Sequence, residues 1–441
     1  MKKISLLVAG LFIVPAVHAE DLLQAYRAAL SSDPVYASAR AARDAGRESL
    51  PQGIAGLLPN ISGTANTQMN HYNVGFRGAL PDSPRDGNTN AYNVNLTQPL
   101  FNWQNFVVYR EAGYKVAQAE AVFGQAAQDL VVRVSQAYFD VLASQDSLAF
   151  IRAQKVAISE QLAQAKRNFE VGTSTIVDTH EAQSRYDLAV SSEIAAENDL
   201  EIKRQTLRQI IGVLPKALAP IKSQVALSLP EPSNMDAWVQ AAEKTNYTVQ
   251  SQAAAVEVAD GEVSRNRSGH LPTVNLVGNV GKQSSSLATA GTINVATDVN
   301  YRQIGVQVAI PFFAGGSVNS LVRQAIANLD KARQDLENAR RTAALSARQS
   351  FLGVTNGTAQ VKALEAALVS SQSSLDSNKL GYDVGVRINI DVLNAQQQLF
   401  QTKRDLSKAR YDTIMASLKL RASAGTLSDE DVQRVNALLE K

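Results

Sequence analysis

The sequence predicts a mainly α-helical chain that also carries strands of a transmembrane β-barrel, in a wall that several chains share. Three observations lead there. Two stretches of some 65 residues run without proline. Four shorter stretches alternate apolar and polar residues with a period of two, the signature of strands. The chain also repeats itself: VGTSTIVDTHEAQ from Val171 recurs as VGVRINIDVLNAQ from Val384, 213 residues on.

The opening MKKISLLVAGLFIVPAVHA reads as a secretory signal peptide over residues 1–19. Lys2 and Lys3 precede an apolar run, Ser5 to Val17, and Val17-His18-Ala19 puts small residues at the cleavage positions. The run is too short for a membrane anchor. The signal holds two of the 43 basic residues and none of the 41 acidic ones, so the mature chain balances 41 against 41. That removes any electrostatic case for a nucleic-acid partner. The chain has no cysteine, which excludes disulfides, thiolate metal sites, cysteine nucleophiles and a lipoprotein anchor. An exported chain with no later apolar run of ~20 residues is either soluble outside the cytoplasm or inserted as a β-barrel.

The repeat extends along the mature chain. At the same offset of 213, Ala28-Ala29 matches Ala241-Ala242, Leu58-Pro59 matches Leu271-Pro272, Gln136 matches Gln349, and Gly212 matches Gly425. Pro99 and Phe101 match Pro311 and Phe313 at an offset of 212. A period this long indicates duplication of a domain-sized unit and not a solenoid. The expected organisation is a first repeat at 20–212, a linker at 213–234, a second repeat at 235–425 and a C-terminal helix at 426–441.

Each repeat has one internal order. An alanine-rich helical stretch comes first, Asp21 to Ser49 and Met235 to Arg265. Strand-like stretches follow at Ile61 to Asn73, Thr89 to Gln98, Thr273 to Gly281 and Gln303 to Ile310. Tyr92, Val94 and Leu96 face one way, against Asn93, Asn95 and Thr97. The stretch PDSPRDGNTN and the Ser/Thr/Ala/Gly-rich Gln283 to Thr297 read as loops. Pro99 and Pro311 then read as joints between strand and helix, because proline ends ladder pairing. Phe101, Trp103, Phe106, Phe312 and Phe313 cluster beside them, as an aromatic belt would. A long helix follows from Asn102 and from Ser317, reaching about 100 Å at 1.5 Å per residue. After each VG turn a second helix runs back. In the second repeat it carries a heptad: Ala395, Leu399, Thr402, Leu406, Ala409, Thr413, Ala416, Leu420. The first repeat places Glu193 and Lys203 on that seam.

The helices alone are equally compatible with a spectrin-like soluble bundle. The strands favour a membrane. Their apolar face needs an apolar partner, while the other face is rich in Asn, Thr and Gln; lipid and a watery lumen satisfy both. Four strands cannot close a barrel with room inside, and open strand edges are forbidden in lipid. Several chains must therefore share one barrel, in a number that these residues do not set.

Five stretches carry a resemblance to a known family: AYFDVL (Ala137 to Leu142), GHLPT (Gly269 to Thr273), SSQSSLD (Ser370 to Asp376), GYDVGVRINIDVLNAQ (Gly381 to Gln396) and KARYD (Lys408 to Asp412). Together with the duplicated layout they resemble the TolC-type outer-membrane efflux proteins over nearly the whole mature chain. The resemblance implies a homotrimer, with a twelve-stranded β-barrel in outer-membrane lipid and a long α-helical barrel reaching through the periplasm of a Gram-negative bacterium. The linker and the C-terminal stretch would form an equatorial belt. It further implies export of drugs, detergents and whole proteins, coupled through a periplasmic adaptor (membrane fusion) protein to an inner-membrane RND, ABC or MFS transporter.

The same resemblance gives the two VG turns a role at the periplasmic mouth. Val171, Gly172, Thr173, Val384, Gly385 and Val386 match the tips where adaptors dock. Tyr382 and Arg387 match residues that lock the second hairpin to the first through an aspartate, here Asp178. Val177 stands where the family often has a threonine, which removes one partner of the arginine. Asp391 matches the inward aspartate of a constriction ring that favours cations, and Asn394 replaces the family's second aspartate, halving the expected ring charge. Read from the residues alone, Thr175-x-x-Asp178 also fits a capping box, so Asp178 is equally a cap and compatible with both roles.

No enzyme is expected. His71, His180 and His270 stand far apart, outside HExxH or Ser-His-Asp-like spacing, and no GxxxxGK[ST] motif is present, so any energy must come from a partner. No cofactor or metal is expected. The alternative reading is a soluble periplasmic coiled-coil adaptor or structural protein; a passive porin would invert the balance of helix and strand.

Overall fold

The computed structural model describes residues 19–75, 83–222, 225, 227–290 and 293–440. The expected signal peptide lies outside them except for Ala19. The elements in chain order are α1 (Leu22–Ser32), α2 (Pro34–Arg47), α3 (Ser49–Ala55), β1 (Asn60–Val74), β2 (Ser83–Phe101), α4 (Trp103–Glu170), α5 (Ile176–Ile211), α6 (Met235–Thr245), α7 (Tyr247–Arg267), β3 (Thr273–Ala290), β4 (Ile293–Ala309), α8 (Ser317–Asp383), α9 (Asn389–Ser423) and α10 (Asp429–Asn436). A single 3₁₀ turn, Ser268–His270, precedes β3. The chain is mainly helical with one small sheet. Two compact units each draw on both halves of the sequence: the described residues within 1–39, 124–246 and 341–441 form one, and those within 40–123 and 247–340 the other.

The expected N-terminal helical stretch of each half is broken at one equivalent position, and the first half again at Glu48. Asp33 adopts extended backbone (ψ 117°), as a residue before proline must. Its carboxylate accepts from the Tyr36 backbone N–H at 2.7 Å and from both terminal nitrogens of Arg133 at 2.8 and 3.1 Å. Burial pushes this carboxyl up, but Arg133 and the backbone donors outweigh it and hold it below the ordinary carboxylate value. Asn246, at the equivalent position (33 + 213), makes the same break between α6 and α7.

The largest apolar cluster lies in the first unit. Leu22, Ala25 and Ala29 of α1 pack with Leu130, Val134, Tyr138 and Phe139 of α4, Leu207 and Ile211 of α5, Tyr411, Ile414 and Leu418 of α9, and Val432 and Val435 of α10. The linker joins this core as a strap. Glu20 bridges Leu218, Ile221 bridges Leu439, and the Tyr138 hydroxyl donates to the carbonyls of Glu20 (3.0 Å) and Ala219 (2.9 Å). The heptad read in α9 is the packed seam. Leu399, Thr402, Leu406, Ala409, Thr413 and Leu420 are buried, and Ala395 and Ala416 partly so. Leu406 and Ala409 pack with Val361 of α8, and Leu399 with Leu375. The approach is close enough that a Cβ on Gly357 would fall 2.4 Å from the Thr413 hydroxyl. In α5 the seam is ionic instead: Glu193 is clamped by Arg152 and Lys155 of α4.

The second unit holds an antiparallel sheet in the order β1-β2-β3-β4, so the chain's own β1 and β4 are its two edges. The register puts Ile61, Leu96, Gly278 and Ile304 in one row, and Leu276 and Val306 in the next. Ile304 is 79% exposed and Val306 60%. The opposite face carries Ser62, Thr64, Asn93, Asn95, Asn275, Asn279, Gln303 and Gln307, as the alternation predicts. Phe312 and Phe313 are almost fully exposed, and Trp103 and Phe106 stack on each other at 5.2 Å.

Three expectations need correction here. Residues 83–90 and most of 283–297, read as loops, are strand; 81 and 82 lie outside the described residues, as do 291 and 292. Asn90 pairs with Thr67 and Ser284 with Asp298. Their Asn, Ser and Thr side chains weaken a strand signal based on hydrophobicity, but ladder hydrogen bonds use only the backbone. The strands, 15 to 19 residues long, therefore run well past their apolar band. Pro99 does not close β2; it lies within it, next to a register shift, and pairing with β3 continues to Phe101. Pro311 does lie just beyond the end of β4.

Glu111 of α4 is the unusual group of this unit. Its side chain is 1% exposed and neither carboxylate oxygen has a hydrogen-bond partner. A Cβ on Gly261 of α7 would sit 2.5 Å from its Cγ. Lys115 stands 3.6 Å away. Burial first, and the nearby Glu262 second, push this carboxyl above the ordinary value of 4.5, against the opposing pull of Lys115 and Arg265. A carboxyl raised by folding binds its proton more tightly in the folded state, so stability falls as pH climbs from 4.5 toward the raised value and then levels. Glu111→Gln is expected to gain stability over the wild type across that window and to keep a constant lead above it, measured by thermal unfolding in detergent from pH 4 upward.

Candidate functional site

The two helix turns are the same object built twice. After α4, the Thr173 N–H donates to the Asn168 carbonyl at 2.8 Å and the Val171 N–H to Arg167 at 3.1 Å. After α8, the Val386 N–H donates to Gly381 at 2.9 Å and the Val384 N–H to Leu380 at 3.1 Å. Each of these four residues and its acceptor lies 213 from its counterpart. The turn works because Gly172 (φ 77°) and Gly385 (φ 79°) adopt the left-handed conformation that closes a helix C-terminus without a Cβ clash. Val171, Val384 and Val386 project from the turns, 72%, 65% and 76% exposed. Thr173 donates its hydroxyl to the Asn168 carbonyl at 3.1 Å.

Asp178 sits in the first turn of α5 as a cap. The Thr175 hydroxyl accepts from the Asp178 N–H at 3.3 Å. The carboxylate accepts in return from the Thr175 N–H (3.1 Å), the Thr175 hydroxyl (2.8 Å) and the Ser174 hydroxyl (2.7 Å). Burial raises the carboxyl, but these donors outweigh it and hold it below the ordinary value. Ile388 begins α9 with no side-chain cap, as its sequence implies.

The expected Tyr382–Asp178 and Arg387–Asp178 contacts are not made within the chain. The Tyr382 hydroxyl accepts from the Asn168 side-chain amide at 3.0 Å, and Arg387 reaches Asp391 on its own helix start at 3.6 Å. The physical reason is local competition. Three donors from Ser174 and Thr175 converge on one Asp178 oxygen, Oδ2, and Arg387 finds an acid one turn along. Arg387 therefore leans on the acid expected to form a constriction. Asn394 is exposed and accepts from Arg185 of α5 at 3.1 Å; the same arginine donates to Gln397 at 2.6 Å.

Besides Arg185, two contacts that the sequence did not single out join the hairpins near the turns. Asn389, 1% exposed at the first position of α9, accepts from the Gln161 side chain of α4 at 2.5 Å and donates to the Asp178 backbone carbonyl at 3.4 Å. Asn168–Tyr382 is the second tie. Asn389 and Gln396, one heptad apart, form a buried polar stripe beside the apolar seam. Among the described residues no cluster of His, Cys, Asp or Glu could hold a metal.

Solved structures share this fold. The Campylobacter jejuni CmeC outer membrane channel superposes with a TM-score of 0.81 at 17% identity, over 96% of this chain and 90% of that one. The Vibrio cholerae outer membrane protein VceC gives 0.77 at 17%, over 92% and 96%. The fold is thus that of outer-membrane channels. The chain belongs to the outer membrane efflux protein family, whose sequence model matches residues 25–213 and again 238–426. Among named relatives, the outer membrane protein TolC of Vibrio cholerae is 35% identical over 429 residues, covering 96% of this chain and 95% of that protein. TolC of Escherichia coli is 31% identical over 432 residues, covering 96% and 86%. The alkaline protease secretion protein AprF of Pseudomonas aeruginosa is 31% identical over 420 residues, covering 94% and 86%.

Asn389→Ala removes both of that residue's bonds and strands the Gln161 amide in a buried site, a loss of about 1–3 kcal/mol. Faster amide hydrogen exchange is expected in the first turns of α5 and α9, with exchange in the α1–α4 core unchanged.

Proposed function

We propose that this outer-membrane protein works as a trimeric channel-tunnel that exports small molecules and proteins, and not as an enzyme. The carrying observation is the sheet: four strands with two open edges, one face bearing an exposed apolar band and the other amide and hydroxyl groups. In lipid both edges need partners. Three chains, each adding four strands, close a twelve-stranded barrel, with Ile304 and Val306 toward lipid and Asn93 and Gln303 toward water. The exposed Phe312 and Phe313 suit its lower rim.

The paired family match supports an internal duplication, since 25 + 213 = 238 and 213 + 213 = 426. Each chain thus brings two long hairpins, and three chains build a helical barrel extending into the periplasm. Residues 213–234 and the C-terminal stretch form the belt around it. Relatives named for protease secretion and for solvent and toluene efflux support cargoes ranging from small molecules to proteins. An inner-membrane RND, ABC or MFS pump supplies the energy through a periplasmic adaptor, which docks on Val171-Gly172-Thr173 and Val384-Gly385-Val386.

The turns are the gate. Asp178, Tyr382 and Arg387 hold it shut, with the tie inside each chain running from Tyr382 to Asn168. Arg387, more than half exposed, is placed to reach a neighbouring chain. Asp391 supplies the constriction ring, and Asn394, held by Arg185, adds no charge to it. Exposed contacts of this kind each contribute about 1 kcal/mol, so the lock is reversible.

In planar bilayers, Tyr382→Phe with Arg387→Ser is expected to raise single-channel conductance; a conductance equal to the wild type dismisses the lock. Asp391→Ala is expected to lower the cation-to-anion permeability ratio, and a ratio that does not move assigns the selectivity elsewhere.

A further inference from the structure

The two hairpins carry the same ion pair with the charges exchanged. Arg152 of α4 meets Glu197 of α5 at 2.6 Å. At the equivalent positions (152 + 213 = 365; 197 + 213 = 410), Glu365 of α8 meets Arg410 of α9 at 2.7 Å. Two neighbouring positions also change chemistry. Lys155 pairs with Glu193 in the first hairpin, while Leu368 and Leu406 occupy those places in the apolar cluster of the second. Asp140 and Lys203 lie 3.9 Å apart, whereas a Cβ on their counterpart Gly353 would lie 3.3 Å from the Cβ of Ala416. The helices therefore meet in one register in both hairpins, with complementary chemistry inside each and mismatched chemistry between them.

We infer that these positions are a pairing code that stops the two hairpins from exchanging helices, within a chain or between copies of it. Repeats that share register and turns can swap partners. If α5 lay on α8 in that register, Glu197 would face Glu365 and Glu193 would lose its cations to Leu368. If α9 lay on α4, Arg410 would face Arg152 and Lys155 would press on Leu406. Exposed ion pairs add little to stability, so their value here is the repulsion they impose on the wrong partner. Gly353 and Ala416 add a steric term, because the second seam leaves little room for the Asp140–Lys203 pair.

The code concerns helix register in the single chain, so its test stands apart from the channel reading. The full-length chain is expressed in three forms. R152E/E365R makes both native pairs like-charged and both exchanged pairs complementary. R152Q/E365Q abolishes both pairs without favouring either arrangement. R152E/E197R/E365R/R410E reverses both pairs and keeps each complementary; all three forms also carry E193Q, because Arg152 meets Glu193 as well. The readout is the fraction of detergent-extracted chain recovered as one homogeneous species by native mass measurement, together with its Tm. R152E/E365R is expected to fall at least about threefold below the neutral form, and the four-fold reversal to recover. A purely stabilising role predicts no such gap at equal Tm. Equal recovery of R152E/E365R and R152Q/E365Q overturns the code, as does a four-fold reversal that stays as low as R152E/E365R.

Discussion

Everything in this chain turns on two rows of unpaired backbone groups. The outer edges of β1 and β4 present N–H and C=O groups with no partner in the sheet. In water such edges invite aggregation; in a bilayer they cost several kcal/mol per unsatisfied group. Among the described residues a single chain has no further strand to offer, and its apolar band cannot turn inward, because the opposite face is already polar. The proposed closure by copies of itself would resolve both demands at once.

The tips follow a different economy. A gate must be held by bonds that thermal motion or a docked partner can break. In the proposed gate the two turns would supply this through a few polar contacts on glycine-closed hairpins. Within the chain Asp178 bonds its own helix start through one oxygen, Tyr382 meets Asn168 and Arg387 stands on Asp391. The Asn389–Gln161 bond is buried and so withstands competition from water, in contrast to the exposed contacts around it. The turn region thus has one buried amide contact beside more exposed ones.

Much of this was legible in the sequence, for identifiable reasons. The α9 seam was readable because its burial has a period, and Gly172 and Gly385 because only glycine takes that turn cheaply. Asp178 announced its cap through Thr175. The faces of the sheet were readable from alternation, but the lengths of its strands were not, since pairing at Asn90 or Ser284 depends on backbone bonds that leave no apolar mark. Asn389 and Gln161 were missed because a lone amide contact across 228 residues has no periodic signature; Asn389 one heptad before Gln396 was the available clue. The lock contacts carried over by resemblance are not made within the chain, where Tyr382 meets Asn168 and Arg387 meets Asp391.

The central claim is that one chain is a fraction of a shared wall. The mass of the detergent-extracted particle, corrected for bound detergent, tests it most directly. Three mature chains in a single, tightly distributed species is the predicted result. A stable particle holding one chain, extracted under the same conditions and still conducting ions when reconstituted, would contradict it.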